Sequence, residues 1–202
     1  MGTERAGRKL HLKTPISREQ LGDLVVGDEV WIDGIIWGIR DASLIRLFDE
    51  KIIPDIDFTG AVFLHTAPSF KVLENGDRVP ISVGTTTSMR MDRFTAGCIN
   101  DLNGAAIIGK GGLSDKSLHI FQNAPAVYLS ITGGAASVET QQVEAIEAVI
   151  WEDLMPECIW KFRVKGFGPL FVSMDSHGNS LYEDVMKTVD ANLQRYIETL
   201  KN

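Results

Sequence analysis

Short continuous apolar runs alternate along the chain with segments whose apolar residues recur every three or four positions, so strands and helices interleave. Residues 61–66 (AVFLHT), 105–109 (AAIIG) and 126–132 (AVYLSIT) have strand length and too few polar positions for a solvated face, which predicts strands buried on both sides. Residues 29–40 (EVWIDGIIWGIR) read as two strands about Asp33-Gly34, and residues 70–83 as two more about Asn75-Gly76, with Pro80 on an edge. GGAAS (residues 133–137) reads as a loop, and the ambiguous stretch VEAIEAVIW is read as a strand at 148–151. Residues 158–167 and 169–175 alternate well enough to predict two antiparallel strands, with His177 in the turn beyond.

Helical spacing marks five further segments. Ser17 and Gln20 fit a capping box that opens a short helix ending near Leu24. Asp41 can cap a helix that turns Leu44, Ile45, Leu47 and Phe48 to one face. Residues 88–102 predict a helix stopped by Asn103-Gly104, Ser114 a capped short helix, and residues 181–200 a C-terminal helix with Val185, Val189, Leu193 and Tyr196 near helical spacing. The interleaving implies an α/β domain with a mixed sheet. Residues 1–13, basic and without an apolar run, are expected to form a mobile arm, and residues 14–202 a single domain.

Composition sharpens this picture by exclusion. The 202 residues are 44% hydrophobic, enough for one well-buried core. The net charge of −7 is spread without blocks, which argues against nucleic acid or an anionic membrane as the main partner. No stretch approaches the ~18 apolar residues of a membrane span, so a cytoplasmic protein is expected. Cys98 and Cys158 stand alone, outside any disulfide or metal-ligand spacing.

Candidate chemistry gathers between Val83 and Gly112. GAAIIGKG imitates a phosphate-binding loop, but a glycine stands where the magnesium-binding hydroxyl belongs, and the intervening residues are those of a strand. What remains is a threonine run (Thr85, Thr86, Thr87), Arg90, and Lys110 between glycines. Each has a bland alternative: a helix entrance for the threonines, a surface pair with Asp92 or Glu50 for Arg90, a solvated turn for Lys110. Together they describe a carboxylate site, since arginine grips a carboxylate at two points, lysine adds a point charge and threonine hydroxyls bond remaining oxygens.

The segments GIRDA, GTTTSMRMD, GKGG, MPECIW and FGPLFVSMDSHGNSL resemble the β subunit of two-subunit class I fumarate hydratase and L-tartrate dehydratase, equivalent to the C-terminal domain of single-chain class I fumarases. The likeness runs from about Thr14 to about Leu181. It implies a swivelling β/β/α domain and a hydro-lyase that removes water from a small 2-hydroxydicarboxylate, malate to fumarate first and tartrate to oxaloacetate as its alternative; a non-catalytic dicarboxylate-binding module is the other reading of the same cations. By that resemblance Arg40 and Arg90 bind the substrate carboxylates, Lys110 and Thr87 also contact the substrate, and Thr86, with Lys110 as the second catalytic group, takes part in proton abstraction. The resemblance places the four-iron, four-sulfur cluster on an α subunit, so this chain is expected to bind no cofactor alone, to assemble as α2β2 or a similar hetero-oligomer, and to form a homodimer when isolated. Three positions bear on how far it carries. Thr85 stands where proline is common, Leu44 where a histidine is common, and His65 falls in a segment that resembles a histidine-containing one. A histidine at a strand end is more often a satisfied structural group than a site member.

Overall fold

The computed structural model describes residues 7–200. Residues 1–6 of the expected arm lie outside them, but Lys9–Lys13 form strand β1, paired in parallel with Glu29–Ile39 (β2). The arm is therefore a sheet edge over that stretch, and its alternating apolar residues Leu10 and Leu12 pack against the core.

β2 is one strand, not the expected hairpin. Along one side it pairs first with β1 and then with Val62–His65 (β3); along the other it pairs with Ile159–Met174 (β9). Gly34 sits where the neighbour changes, at a φ of +106° that its lack of a Cβ permits, and the register against β9 shifts there. The Asp33-Gly34 pair is a bulge in place of a turn. β9 likewise runs unbroken for 16 residues where two strands were expected, long enough to pair with three neighbours.

β2, β3, Ala106–Gly109 (β6) and Val127–Ser130 (β7) run parallel, and β9 closes from β7 back to β2 antiparallel, giving a five-stranded closed sheet. Val143–Ile150 (β8) extends β9 outward and begins five residues before the expected start at 148. A separate hairpin, Ser69–Val72 (β4) and Arg78–Ser82 (β5), turns at Asn75-Gly76 as predicted.

Strand alternation assigns the two cores. Val62 and Leu64, Ala106 and Ile108, Val127 and Leu129 belong to one cluster with Trp160, Phe162 and Leu170, enclosed by the closed sheet and capped by Leu21 of helix α1 (Arg18–Gly22). Phe63, Ile107 and Tyr128 point the other way, into a second cluster with Leu44, Leu47, Phe94, Cys98 and Phe121 from the covering helices. At about 25 cal/mol per Å² of apolar surface, these doubly buried strands supply most of the driving force for the fold.

The covering helices depart from regular α geometry. The predicted capping box at Ser17 and Gln20 forms. Asp41–Leu44 (α2) continues as a π-helical turn to Asp49, with Arg40, not Asp41, at its cap position. Residues 88–102 are a 3₁₀ segment, Ser88–Phe94, then a π-helical turn, Gly97–Asp101. A Cβ on Gly97 would strike the Phe48 ring, so close packing of the two segments depends on that glycine. Asp115–Asn123 (α3) follows, and Ala136–Gln141 (α4) begins within the segment 133–137 read from sequence as loop. The last helix, Leu181–Leu200 (α5), matches its predicted bounds and buries no side chain. No helix among the described residues is long and apolar enough to cross a membrane.

Candidate functional site

Three neighbouring parallel strands end side by side, and a predicted site residue leaves each end or lies against it. Arg40 follows the last residue of β2, His65 ends β3, and Lys110 follows the last residue of β6. Crevices at the carboxyl ends of parallel strands are where α/β sheets bind ligands. The threonine run crosses over these ends as an extended segment. Thr85 bridges Thr66, the Thr86 N–H donates to the His65 carbonyl at 2.7 Å, Thr87 bridges Lys110, and the Ser88 N–H donates to the Lys110 carbonyl at 3.0 Å. The run is thus pinned to β3 on one side and to β6 on the other. β6 itself is fully buried strand, which removes the phosphate-loop alternative.

Arg40 and Arg90 meet through one carboxylate. Asp41 Oδ2 accepts from Arg40 Nε at 3.2 Å and from Arg90 Nη2 at 2.8 Å. Glu157 adds a second anchor, with Oε1 3.2 Å from Arg40 Nε and Oε2 accepting the Ala42 N–H at 2.9 Å. Arg90 is therefore paired with neither Asp92 nor Glu50; Asp92 instead accepts from the Ser114 N–H and hydroxyl and from the Ser117 hydroxyl. Ser114 stands at the cap position of α3 but spends its hydroxyl on Asp92.

Arg40 and Asp41 are about a quarter exposed, at 25% and 27%, and Arg90 is half exposed at 53%. Ion pairs so wetted contribute roughly 0–1 kcal/mol each, too little to be what holds the strand ends together. The named contacts use Nε of Arg40 and Nη2 of Arg90, and a guanidinium carries five N–H donors, so both retain donors for an incoming carboxylate.

Thr86 is half-buried, and its hydroxyl has no hydrogen-bond partner among the described residues, whereas Thr85 Oγ1 donates to Glu139 Oε2 at 2.8 Å. Thr87 is exposed and Lys110 half-buried. Glu139 lies on α4, is 2% exposed, and has its pKa raised by burial, while the Thr85 hydroxyl and the Lys110 charge pull it back down. Beneath the run, His65 Nδ1 lies 2.9 Å from Ser88 Oγ, which also accepts from the Tyr128 hydroxyl at 2.9 Å. Burial lowers the His65 pKa to about 4 against the opposing charge of Asp41 and also raises that of Tyr128. His65 is a neutral, hydrogen-bonded strand-end group, as the structural alternative expects. Leu44 is fully buried in the outer core, and His177 lies in a turn with its N–H on Asp175 Oδ1.

Sequence reasoning did not single out Glu157 or Glu139. Glu157 lies in the MPECIW segment, but no local spacing announces that it reaches back to Arg40. Glu139 lies just beyond the GGAAS loop in a stretch to which the sequence pattern assigns no element, and its helix is only six residues long.

The two thiols do not fit an iron–sulfur cluster. Cys98 packs in the outer core and Cys158 in the enclosed one, and burial raises both thiols, Cys158 to about 11, whereas cluster ligands are thiolates. Among the described residues no three or more His, Cys, Asp or Glu side chains are placed to hold a metal ion.

Comparison with known proteins adds an independent line. A family model described as Fumarase C-terminus matches residues 2–185. The L(+)-tartrate dehydratase subunit beta of Escherichia coli K12 is 39% identical over 178 residues, covering 87% of this chain and 88% of that protein. A Methanocaldococcus jannaschii protein provisionally named as the same subunit is 35% identical over 189 residues, covering 90% and 95%. A Geobacillus stearothermophilus protein provisionally named as a class I fumarate hydratase is 37% identical over 197 residues; this chain is 97% covered and spans 38% of that longer relative.

Proposed function

The chain belongs to the family described as Fumarase C-terminus, and from that premise we propose that it is the β subunit of a hydro-lyase acting on a small 2-hydroxydicarboxylate, with malate to fumarate as the reaction and tartrate to oxaloacetate as its nearest rival. The swivelling β/β/α arrangement of the family and a cluster-bearing α subunit in an α2β2 or similar assembly are part of the same proposal.

One observation carries it: two arginines tied to a single carboxylate at the strand ends, beside a threonine run pinned against Lys110. A dicarboxylate offers two charges about one short carbon chain apart, which suits two guanidiniums held by a common partner. In the proposed reaction Arg40 and Arg90 bind and orient the carboxylates. Abstracting the proton next to a carboxylate builds further negative charge there, and Lys110 supplies a fixed cation against it. Thr86 is the group proposed to take the proton. Its hydroxyl has no partner among the described residues, but a hydroxyl's high pKa makes it a poor base, so it needs the local positive field. The iron–sulfur cluster that the resemblance implies would be held by the α subunit, where it would supply Lewis-acid chemistry for the departing hydroxyl.

The test is coexpression with a cluster-bearing α subunit, followed by anaerobic assay of malate, fumarate and L-tartrate. Dehydratase activity of the complex on one of these, absent from either chain alone, is the expected result. A complex inert towards all three, or full activity of the isolated β chain, would overturn the reading.

A further inference from the structure

The segment from Val83 to Ser88 is gripped residue by residue. The Val83 N–H donates to Thr140 Oγ1 at 2.8 Å, the Gly84 carbonyl accepts from Thr66 Oγ1 at 2.9 Å, and the Thr85 hydroxyl donates to Glu139 Oε2 at 2.8 Å. The Thr86 N–H binds the His65 carbonyl, and the Ser88 hydroxyl meets His65 and Tyr128. All these grips are neutral except one. Glu139 is a carboxyl at 2% exposure, reached by burial that opposes its charge. A group placed only to fill space there would be better apolar, because burying an ionisable group is unfavourable unless it is matched by partners. Its partners are the Thr85 hydroxyl at hydrogen-bond distance and the Lys110 charge, and these flank Thr86 on its two sides.

We propose that Glu139 is a positioning residue for the site: by accepting the Thr85 hydroxyl it holds the threonine run in the extended course that presents Thr86 and keeps Thr87 bridged to Lys110. The inference rests on the hydro-lyase reading for its catalytic consequence, but its structural half does not. The Thr85 N–H makes no hydrogen bond among the described residues. Proline at position 85 would therefore remove no backbone hydrogen bond; it would give up the side-chain bond to Glu139 and fix φ by covalent means, replacing the clamp with ring stiffness.

Two measurements test it. In the complex with the cluster-bearing subunit, Glu139→Ala and Thr85→Val should each lower kcat about 10-fold or more with KM within about 3-fold, and the double variant should be no slower than either single, because both remove one interaction. Glu139→Gln keeps an oxygen that accepts the same hydrogen and should stay within about 3-fold of wild type, and adding Thr85→Pro to Glu139→Ala should recover most of the loss. In the isolated full chain, the Thr86 and Ser88 amides should exchange about 10-fold faster in Glu139→Ala while those of Ile107 and Ile108 stay unchanged. Losses that add in the double variant, a Glu139→Gln variant as slow as Glu139→Ala, or exchange that rises equally through β6 would overturn the proposal. If the complex dehydrates nothing, the hydro-lyase reading fails, and the exchange rates alone still decide whether Glu139 holds the run.

Discussion

Among the described residues Arg90 is held by a single hydrogen bond, from Nη2 to Asp41, and it is half exposed, so the fold has little stake in it. Replacing it with alanine should shift stability by no more than about 1 kcal/mol. If it binds a substrate carboxylate at two points in the transition state, the same change should lower kcat/KM of the complex about 100-fold or more, and lysine should recover only part of this because it lacks the planar fork. Steady-state kinetics set beside a thermal melt separate the two effects. Kinetics like those of wild type would remove Arg90 from the site.

His65 makes the opposite bargain, contributing to stability in a pH-dependent way. In the folded chain its pKa is lowered to about 4 by burial, below its ordinary value of 6.5, so between these values the unfolded chain holds a proton that the folded chain does not. Stability therefore rises with pH across that window. It is fully present above 6.5 and is lost as the pH falls towards 4, by an amount on the order of 3 kcal/mol. Denaturant midpoints at pH 7 and pH 4.5 should differ much less for His65→Asn than for wild type. Equal pH slopes would mean that His65 is not the titrating group.

At the scale of elements, what was legible in the sequence was whatever local pattern alone determines. β3, β6 and β7 are apolar runs that no solvated structure would carry, the Asn75-Gly76 hairpin is set by two residues, and α5 matched its predicted bounds. The misreadings share a cause: β2 and β9 are continuous because of what lies beside them. Asp33-Gly34 has the chemistry of a turn, yet it serves a change of neighbour from β1 to β3, and no local rule sees the neighbour. The site divided in the same way. Arg90, Lys110 and the threonines stand within one stretch, while Asp41, Glu157 and Glu139 join them only after the sheet closes.

Gly109 shows how tightly β6 and the segment after Thr87 are fitted. A Cβ there would land on the Ser88 hydroxyl and within 2.8 Å of the Tyr128 hydroxyl. Gly109→Ala should therefore destabilise the chain by about 1–3 kcal/mol, as overpacking does, and should displace the Ser88 end of the threonine run. α5 gives the contrasting case. Met186, Val189, Leu193, Tyr196 and Leu200 are all exposed, and none of the helix's side chains is buried, whereas Tyr182 packs beside Tyr128 and its hydroxyl donates to the Gly111 carbonyl. Truncation after Asp184 should consequently move Tm by less than about 3 °C, since only losses near 1 kcal/mol or more would register beyond that. A larger fall would show that the distal helix packs on the domain.

For the whole molecule, the decisive feature is that the positive charge at the strand ends is already partly answered from within. Arg40 and Arg90 share Asp41, Arg40 also meets Glu157, and Lys110 faces the buried Glu139. A groove of about 470 Å³ between β5 and β8, lined by Arg78, Pro80 and Val143 among others, includes none of these cations. A dicarboxylate meeting the isolated chain must compete with internal carboxylates at a site open to water, where each ion pair gains little. The isolated chain should accordingly bind malate or tartrate only in the millimolar range or weaker, and more weakly still as salt rises, because exposed charges are screened. If an α subunit covers the strand ends, it removes water there and strengthens the contacts to an incoming carboxylate, so the complex should bind at least about 100-fold more tightly. Calorimetry on the free β chain and on the complex at low and high salt measures both numbers. Micromolar binding by the β chain alone would mean that its cations form a finished site, and would favour a stand-alone dicarboxylate-binding module over half of an enzyme.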